Sequence, residues 1–276
     1  MSFLSYVPVI GLFAMFVLRV PIALALLIAT AIYFGLVNTF MLQETMIQTM
    51  VASMESFPYL AIPFFTCAGV VFNYAGITRR LMTLAEMLFG HMRGGMAQVN
   101  VALSAMMGGL SGSANADAAM QTKLIVPEME RLGYDRAFAT VVTAASSCIT
   151  PIIPPGIILI LYALVADVSV AKMFLAGFLP GLLLTVILMA TVAIIARRKG
   201  YGASRASRAP GREILVQLGR SAWALLLPLG IIMGLRFGIF TPTEAGAVAV
   251  VYALLVGALV YGELKWHHLG PIIEES

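Results

Sequence analysis

Charged residues are scarce in this sequence: Asp, Glu, Lys and Arg make up only 11% of its 276 residues, whereas 61% are hydrophobic. So few polar side chains cannot cover a water-facing globule of this size, and a soluble protein is excluded. The chain must lie largely in lipid, where only backbones with satisfied hydrogen bonds span the bilayer. We therefore expect an all-α, polytopic membrane protein.

Cysteine and nucleotide-binding motifs are also sparse or absent. The two cysteines, Cys67 and Cys148, lie in apolar segments without CxxC or metal-ligand spacing, which argues against a disulfide or a metal centre. No GxxxxGK[ST] motif occurs, so this chain is not predicted to hydrolyse nucleotide, although an ATPase partner stays open. The pI near 9.2 comes from basic residues that flank apolar runs, which does not indicate a nucleic-acid partner.

Apolar runs long enough to cross a bilayer, which takes ~20 residues, recur along the chain. They lie at about 3–18, 20–37, 58–77, 137–165, 172–196, 221–240 and 242–262. Two amphipathic stretches, 44–57 and 77–92, carry apolar residues at helical spacing and are predicted to lie along the membrane interface.

The basic residues predict how these spans are oriented. If the N-terminus is periplasmic, all of the 17 Lys and Arg residues except Lys123, Lys172 and Arg236 share one face, which the positive-inside rule assigns to the cytoplasm. This orientation is the one we expect for the chain. It also requires Arg93 and Arg131 to lie on the same side, so residues 94–130 enter the membrane and leave by the face they entered.

Two interruptions of helix are predicted at membrane depth. The first is the tip of the re-entrant hairpin 94–130, where glycines and polar residues replace aliphatic ones between Gly108 and Asp117. The second is the stretch from Ser146 to Gly156, whose three prolines break the run 137–165. Non-helical backbone at that depth must be buried in protein or line a watery cavity.

The two interruptions together predict one site for a cation and an anionic substrate. Asp117 is the acidic residue deepest in a predicted membrane element, where an ionisable group is costly and usually functional. A salt bridge from Asp117 to Lys123 is the structural alternative. Opposed helix ends offer carbonyl oxygens to a cation and positive N-termini to an anion. The candidate sodium and substrate ligands are Ser111, Gly112, Ser113, Asn115, Asp117, Ser146, Ser147 and Thr150.

Two other functional classes stay open. The sequence GLSG at Gly109–Gly112 matches the GxSG around the nucleophile of rhomboid-like intramembrane serine proteases. Such a serine needs a general base, and the three histidines, His91, His267 and His268, lie at membrane flanks. The second alternative is an accessory, structural membrane subunit without a transport site of its own.

Seven stretches in order resemble the large membrane subunit of tripartite ATP-independent periplasmic (TRAP) transporters. They are RVPIALAL (19–26), AIPFFTCAGVVFNYAGITRRL (61–81), GHMRGGMAQVNV (90–101), GGLSGSANADAA (108–119), TAASSCITPIIPPGI (143–157), FLAGFLPGLLL (174–184) and GIFTPTEAGAVAVVYAL (238–254). Within them, Asn115 stands where an apolar or small residue is expected, and Cys148 where a hydroxyl or small residue is expected.

The resemblance implies a multi-pass protein of the bacterial inner membrane that is a sodium-driven importer of organic acids. It would work by an elevator-type mechanism and would not be an enzyme. Its substrates would be C4-dicarboxylates, sialic acid or related carboxylates. Its partners would be a periplasmic substrate-binding protein and a small membrane subunit, and Na⁺ would be the coupling ion. The interfacial helices 44–57 and 77–92 would link a scaffold to the moving domain.

The resemblance also implies a domain organisation corresponding to the first half of the family's subunit. Residues 1–93 would form scaffold spans and interfacial arm helices, 94–171 the transport part, 172–196 a span, 197–220 a cytoplasmic linker and 221–276 two further spans. The family's subunit continues into a second, inverted repeat with its own hairpin, whereas this sequence stops at Ser276. Either it is a fragment or a separate chain supplies the remainder.

Overall fold

The computed structural model describes residues 6–36, 43–55 and 57–276. The chain divides into two compact units, 1–56 and 57–276, each described on its own. Every regular element in the described ranges is a helix, as the composition predicts. The division into scaffold, transport part and linker stays a prediction.

The first unit contains three helices: α1 (Val7–Val17), α2 (Ile22–Leu36) and α3 (Gln43–Met54). Helices α1 and α2 have 11 and 15 residues, fewer than a span needs, and the ends of the predicted runs at 3–5 and 37 lie outside the described residues. Arg19, at φ 59°, turns the chain between them. Helix α3 lies in the predicted amphipathic stretch 44–57, whose residue 56 also falls outside the described residues.

The second unit begins with a short 3₁₀ turn, Phe57–Leu60, and continues with eleven described α-helices. They are α4 (Ala61–Tyr74), α5 (Ile77–Phe89), α6 (Gly95–Ser111), α7 (Ala114–Leu124), α8 (Val126–Arg131), α9 (Arg136–Ser147), α10 (Ile157–Val165), α11 (Val170–Lys199), α12 (Gly211–Arg236), α13 (Pro242–Leu255) and α14 (Leu269–Glu275). A π-helical turn, Val256–Val260, extends α13, and a 3₁₀ turn, Trp266–His268, precedes α14.

Four of the described helices are long and apolar enough to cross a membrane. They cover Phe57–Tyr74, Val170–Lys199, Gly211–Arg236 and Pro242–Val260, and each matches a predicted run. Many of their large apolar side chains are exposed in the protein, including Leu179 at 72% and Leu259 at 79%. A surface of this kind is stable in lipid rather than in water.

The amphipathic character predicted for 77–92 is confirmed by α5. Its residues Ile77, Leu81 and Leu84 are at most 1% exposed, whereas Arg79 faces outward. The preceding Gly76 adopts φ 68°, a left-handed conformation that separates α5 from α4. This explains why α4 ends at Tyr74 rather than at 77.

Helices α6 and α7 form a helix-turn-helix whose turn lies inside the predicted tip Gly108–Asp117. Gly112, at φ 58°, ends α6, and the Ser113 hydroxyl accepts a hydrogen bond from the Ala116 N–H at 3.4 Å as the N-cap of α7. Further from the turn, Gln121 of α7 donates to the Ser104 hydroxyl of α6 at 2.7 Å. Helix α7 therefore folds back along α6.

The predicted run 137–165 is broken, as its prolines indicate. Helix α9 ends at Ser147 and α10 begins at Ile157, which leaves residues 148–156 outside α-helix. Pro151, Pro154 and Pro155 lack the backbone N–H that a continuous helix needs. The broken helix packs against α6 and α11.

The connection between α11 and α12 is shorter than the predicted linker 197–220, because both helices continue beyond their apolar parts and only residues 200–210 lie outside them. Helix α11 ends in three basic residues, and α12 has Glu213 in its first turn. Both sets of charges interact favourably with the helix dipoles.

The connection is hydrogen-bonded to the start of α6, because the Gly94 N–H donates to the carbonyls of Tyr201 and Gly202. Tyr134 donates to the Gly202 carbonyl at 3.3 Å, and burial raises the pKa of its phenol.

Candidate functional site

A buried carboxylate lies where the helix-turn-helix meets the broken helix. Asp117 is only 1% exposed, and its Oδ2 accepts a hydrogen bond from the Thr150 hydroxyl at 2.8 Å. The same hydroxyl lies 3.2 Å from the Ser104 carbonyl of α6. Thr150, in the interruption after α9, thus joins the two predicted breaks through one side chain.

A second set of hydrogen-bonded polar side chains extends from this contact along α6 and α9. The Asn100 amide donates to the Thr143 hydroxyl at 2.7 Å, and its carbonyl accepts from the Ser146 hydroxyl at 3.1 Å. The Ser147 hydroxyl donates to the Thr143 carbonyl at 2.8 Å. These four side chains are at most 2% exposed. Together with Ser104, Asp117, Gln121 and Thr150 they form a buried, hydrogen-bonded cluster, the polar seam, that crosses an otherwise apolar core.

Two oxygen atoms in this seam have no hydrogen-bond partner in the described part of the chain. They are Oδ1 of Asp117 and Oε1 of Gln121, both buried. Buried polar atoms are normally satisfied, and an orphaned carboxylate oxygen is especially costly. Carboxylate and amide oxygens are ligands that hard cations prefer, so these two oxygen atoms could bind a small cation.

The alternative role for Asp117, a salt bridge to Lys123, is not found. Lys123 is exposed, and none of the ion pairs in the described ranges joins these two residues. Among the described residues, the groups that contact the carboxylate are neutral hydrogen-bonding side chains such as Thr150 rather than a counter-ion.

The end of α6 and the turn that follows it, which we call the tip, pack tightly on the broken helix. A Cβ on Gly112 would lie 3.0 Å from the Pro155 carbonyl oxygen and 3.1 Å from the Ile157 nitrogen. A Cβ on Gly108 would lie 2.6 Å from the Ile153 Cβ. Glycine is needed at both positions so that the two interruptions can approach.

This packing brings two helix N-termini together. Helix α7 begins at Ala114, directly after the tip, and α10 begins at Ile157, whose nitrogen faces that tip. Helix N-termini carry partial positive charge and unsatisfied N–H groups, which favour anions. The junction therefore brings N–H groups of the kind that favour anions close to oxygen atoms of the kind that bind cations.

The predicted site residues divide into three groups. Asp117 and Thr150 are in direct contact, and Ser146 and Ser147 lie on the same buried seam. Ser111, Gly112 and Ser113 form the tip, where the Ser111 hydroxyl donates to the Met107 carbonyl at 3.5 Å. Asn115 is exposed beside the tip, with no contact to the seam among the described hydrogen bonds.

Four buried residues of the seam were not predicted: Asn100, Ser104, Gln121 and Thr143. A signal for them does exist in the sequence. Asn100 and Ser104 are four residues apart, as are Asp117 and Gln121, so each pair lies on one helix face. Polar residues at this spacing in an apolar segment indicate a buried polar face, whereas the prediction considered only the glycine-rich tip.

The protease alternative finds no support in the contacts of Ser111. Its hydroxyl bonds to the Met107 carbonyl, and no hydrogen bond in the described ranges joins it to a histidine. His91 lies at the base of α6, before Gly95, whereas Ser111 lies at the opposite end of that helix. Among the described residues, no histidine is thus hydrogen-bonded to this serine as a general base.

Comparison with known proteins identifies the family. A family model described as "Tripartite ATP-independent periplasmic transporter, DctM component" matches residues 9–276. The chain belongs to the DctM family of TRAP transporter components. The resemblance found in the sequence motifs is confirmed, and with the four apolar spans it makes the chain a multi-pass inner-membrane protein.

Among curated DctM relatives, the chain is similar to the sialic acid TRAP transporter permease SiaT of Haemophilus influenzae, with 41% identity over 89% of the chain and 39% of SiaT. It is 41% identical to the Escherichia coli 2,3-diketo-L-gulonate permease YiaN over 90% of the chain and 59% of YiaN. It is 38% identical to the Pseudomonas aeruginosa C4-dicarboxylate permease DctM over 80% of the chain and 52% of that protein. The chain spans about two fifths to three fifths of the length of these relatives.

Proposed function

We propose that the chain forms part of the permease of a sodium-coupled secondary importer of organic acids. The observation that carries this proposal is the buried Asp117 carboxylate at the junction of two helix interruptions, whose Oδ1 has no hydrogen-bond partner among the described residues. The names of the three relatives refer to sialic acid, 2,3-diketo-L-gulonate and C4-dicarboxylates, which are all carboxylates. A carboxylate such as these is therefore the proposed substrate.

In this proposal the α6–α7 element is a re-entrant hairpin within 94–130. Helices α6 and α7 have 17 and 11 residues, and both are shorter than a typical span. Nearly all of α6 is buried against other helices, which meets the requirement that interrupted backbone at membrane depth be enclosed by protein. The charge bias supports the same topology and a periplasmic N-terminus.

The coupling ion would be held by Oδ1 of Asp117 and Oε1 of Gln121, with hydroxyl and carbonyl oxygens nearby. An ion bound to these two oxygen atoms would offset the cost of burying them without a hydrogen-bond partner. It would also hold the tip against the broken helix. The substrate carboxylate would then meet the N-termini of α7 and α10. Ion and substrate would thus stabilise the same closed junction, which couples their transport.

The moving part would contain α6 to α10, while the amphipathic helices α3 and α5 would act as arms in an elevator-type movement. The proposed partners are a periplasmic substrate-binding protein, which delivers the carboxylate, and a small membrane subunit. The membership of the chain in the TRAP family supports both partners.

Uptake into proteoliposomes tests this proposal. The complete permease containing this chain is reconstituted with its small subunit and supplied with the binding protein loaded with labelled carboxylate. We expect uptake under an inward sodium gradient and none under an equal potassium gradient. Sialic acid and C4-dicarboxylates are tested separately, so that the substrate class is measured along with the coupling ion.

A matched pair of variants assigns the effect to Asp117. Asp117→Asn removes the charge inside the seam and is expected to abolish sodium-driven uptake. Asp167→Asn removes the same charge from an exposed loop residue, whose φ of 52° asparagine accepts, and should leave uptake intact. Uptake that keeps its sodium dependence in Asp117→Asn would remove this residue from the mechanism. Absence of carboxylate uptake under both gradients in a folded complex would instead favour an accessory subunit without its own transport site.

A further inference from the structure

A basic cavity lies apart from the polar seam, between α5, α12 and the segment that follows α13. Its volume is about 700 Å³, and three arginines, Arg79, Arg80 and Arg220, line it with one acidic residue, Glu263. The remaining wall includes the aromatic rings of Trp223 and Tyr261. The cavity thus combines an excess of positive charge with an apolar surface.

Arg80 forms the fixed part of this cavity. Its guanidinium lies 2.7 Å from Glu263, donates to the Gly76 carbonyl at 3.0 Å and stacks 3.9 Å from the centre of the Tyr261 ring. Its backbone carbonyl accepts hydrogen bonds from Gln217 of α12. The charge of Arg80 is therefore compensated, and the helices that carry the other two arginines are held together.

Arg79 and Arg220 have no such compensation. Both are exposed, and neither guanidinium takes part in an ion pair or hydrogen bond recorded for the described ranges. The two side chains face one cavity from different helices, α5 and α12. Two uncompensated cations facing the same space repel each other, so an anion bound between them would lower the free energy of the folded protein.

The apolar wall indicates what kind of anion fits. Val216, Trp223 and Val260 line the cavity and belong to or border the candidate spans α12 and α13. Trp223 is 45% exposed, and Leu226, further along α12, is 52% exposed. The cavity thus adjoins the apolar surface of a candidate membrane span, and a tryptophan at its edge is typical of the membrane interface.

We propose that this cavity binds the phosphate group of an anionic phospholipid. Arginine presents a planar fork of donors that binds phosphate oxygens bidentately, and Arg79 and Arg220 supply two such forks. The acyl chains would lie along the apolar side of α12 beyond Trp223. Basic pockets between membrane helices bind anionic headgroups in this way. Such a lipid would fix the arm helix α5 to α12.

Trp223 provides a local reporter for the test. The sequence contains two tryptophans, and the second, Trp266, is 89% exposed, so Trp266→Phe leaves Trp223 as the only indole. The full chain with this change is titrated in mixed micelles with phosphatidylglycerol whose acyl chains are brominated, and quenching of fluorescence is measured. Phosphatidylcholine with the same brominated chains serves as the zwitterionic comparison.

We expect phosphatidylglycerol to quench Trp223 at a mole fraction at least fivefold lower than phosphatidylcholine. The double variant Arg79→Gln, Arg220→Gln should lose this preference while keeping its unfolding temperature in lipid-free detergent. The control Arg197→Gln, Arg198→Gln removes equal charge from the end of α11 and should keep the preference.

Three results would overturn the proposal. Equal quenching by the two lipids would show that the cavity does not select an anionic headgroup. Loss of the preference in the α11 control would show that overall charge, rather than the cavity, attracts the lipid. Displacement of the brominated lipid by micromolar inorganic phosphate would show that the site takes free phosphate.

Discussion

The contact between the hairpin tip and the broken helix can be tested by adding one methyl group, Gly112→Ala. At φ 58°, alanine costs about 1–2 kcal/mol because its Cβ crowds the following carbonyl. The same Cβ would lie 3.0 Å from the Pro155 oxygen and 3.1 Å from the Ile157 nitrogen. These are backbone atoms that cannot rotate away, so overpacking adds about 1–3 kcal/mol.

Gly133→Ala is the matched control. Gly133 has φ 85°, so alanine meets a similar backbone cost, but nothing lies within 4 Å of its added Cβ. We expect Gly112→Ala to lower the free energy of unfolding by about 2–5 kcal/mol and Gly133→Ala by about 1–2 kcal/mol. The difference of about 1–3 kcal/mol measures the contact itself.

Thermal unfolding in detergent provides the assay. In a chain of this length, 1 kcal/mol shifts the unfolding midpoint by roughly 2–4 °C, so the two variants should differ by roughly 2–12 °C. Equal midpoints would refute the packing of the tip on the broken helix. If only Gly112→Ala also loses carboxylate uptake in the complete permease, the contact matters for transport as well as for stability.

Two further changes test the polar seam. Thr150→Val removes the hydrogen-bond donor to Asp117 and should lower the free energy of unfolding by about 1–3 kcal/mol. Thr140→Val, at an exposed position of α9, should change it by less than about 0.5 kcal/mol. Equal effects of the two variants would contradict the contact. Asn100→Ala leaves two buried hydroxyls of α9 without their amide partner, so denaturant unfolding should show a loss of about 1–3 kcal/mol, and a neutral result would mean that water replaces the amide.

Much of the fold follows from local sequence patterns. Hydropathy predicted the four long apolar helices, because burial in lipid depends on composition over a whole span. Glycine predicted the turn at Gly112 and proline the break after Ser147, because both residues act on the backbone where they stand. The start of α12 at Gly211 was missed because its first turns contain charged residues. Hydropathy detects only the apolar part of a helix, so it does not locate a helix end that lies outside that part.

The polar seam was only partly predictable, because it depends on how α6, α7 and α9 pack. Asp117 and Thr150 were predicted to face each other, and they lie in contact. The spacing of Asn100 with Ser104 and of Gln121 with Asp117 marks a polar helix face, but which side chains meet depends on the register between the helices, and the sequence does not specify that register. The assignment of these residues to sodium and substrate stays a prediction.

Sodium binding at Asp117 is the central claim, and unfolding of the purified chain in matched sodium and potassium chloride tests it most directly. A ligand that binds only the folded state stabilises it by about 2.7 kcal/mol at a hundredfold excess over Kd. We predict a higher unfolding midpoint in sodium than in potassium for the unaltered chain and for Asp167→Asn, and no difference for Asp117→Asn. A sodium-specific increase that persists in Asp117→Asn, or one that is absent from all three proteins, would contradict the assignment of a cation site to this carboxylate.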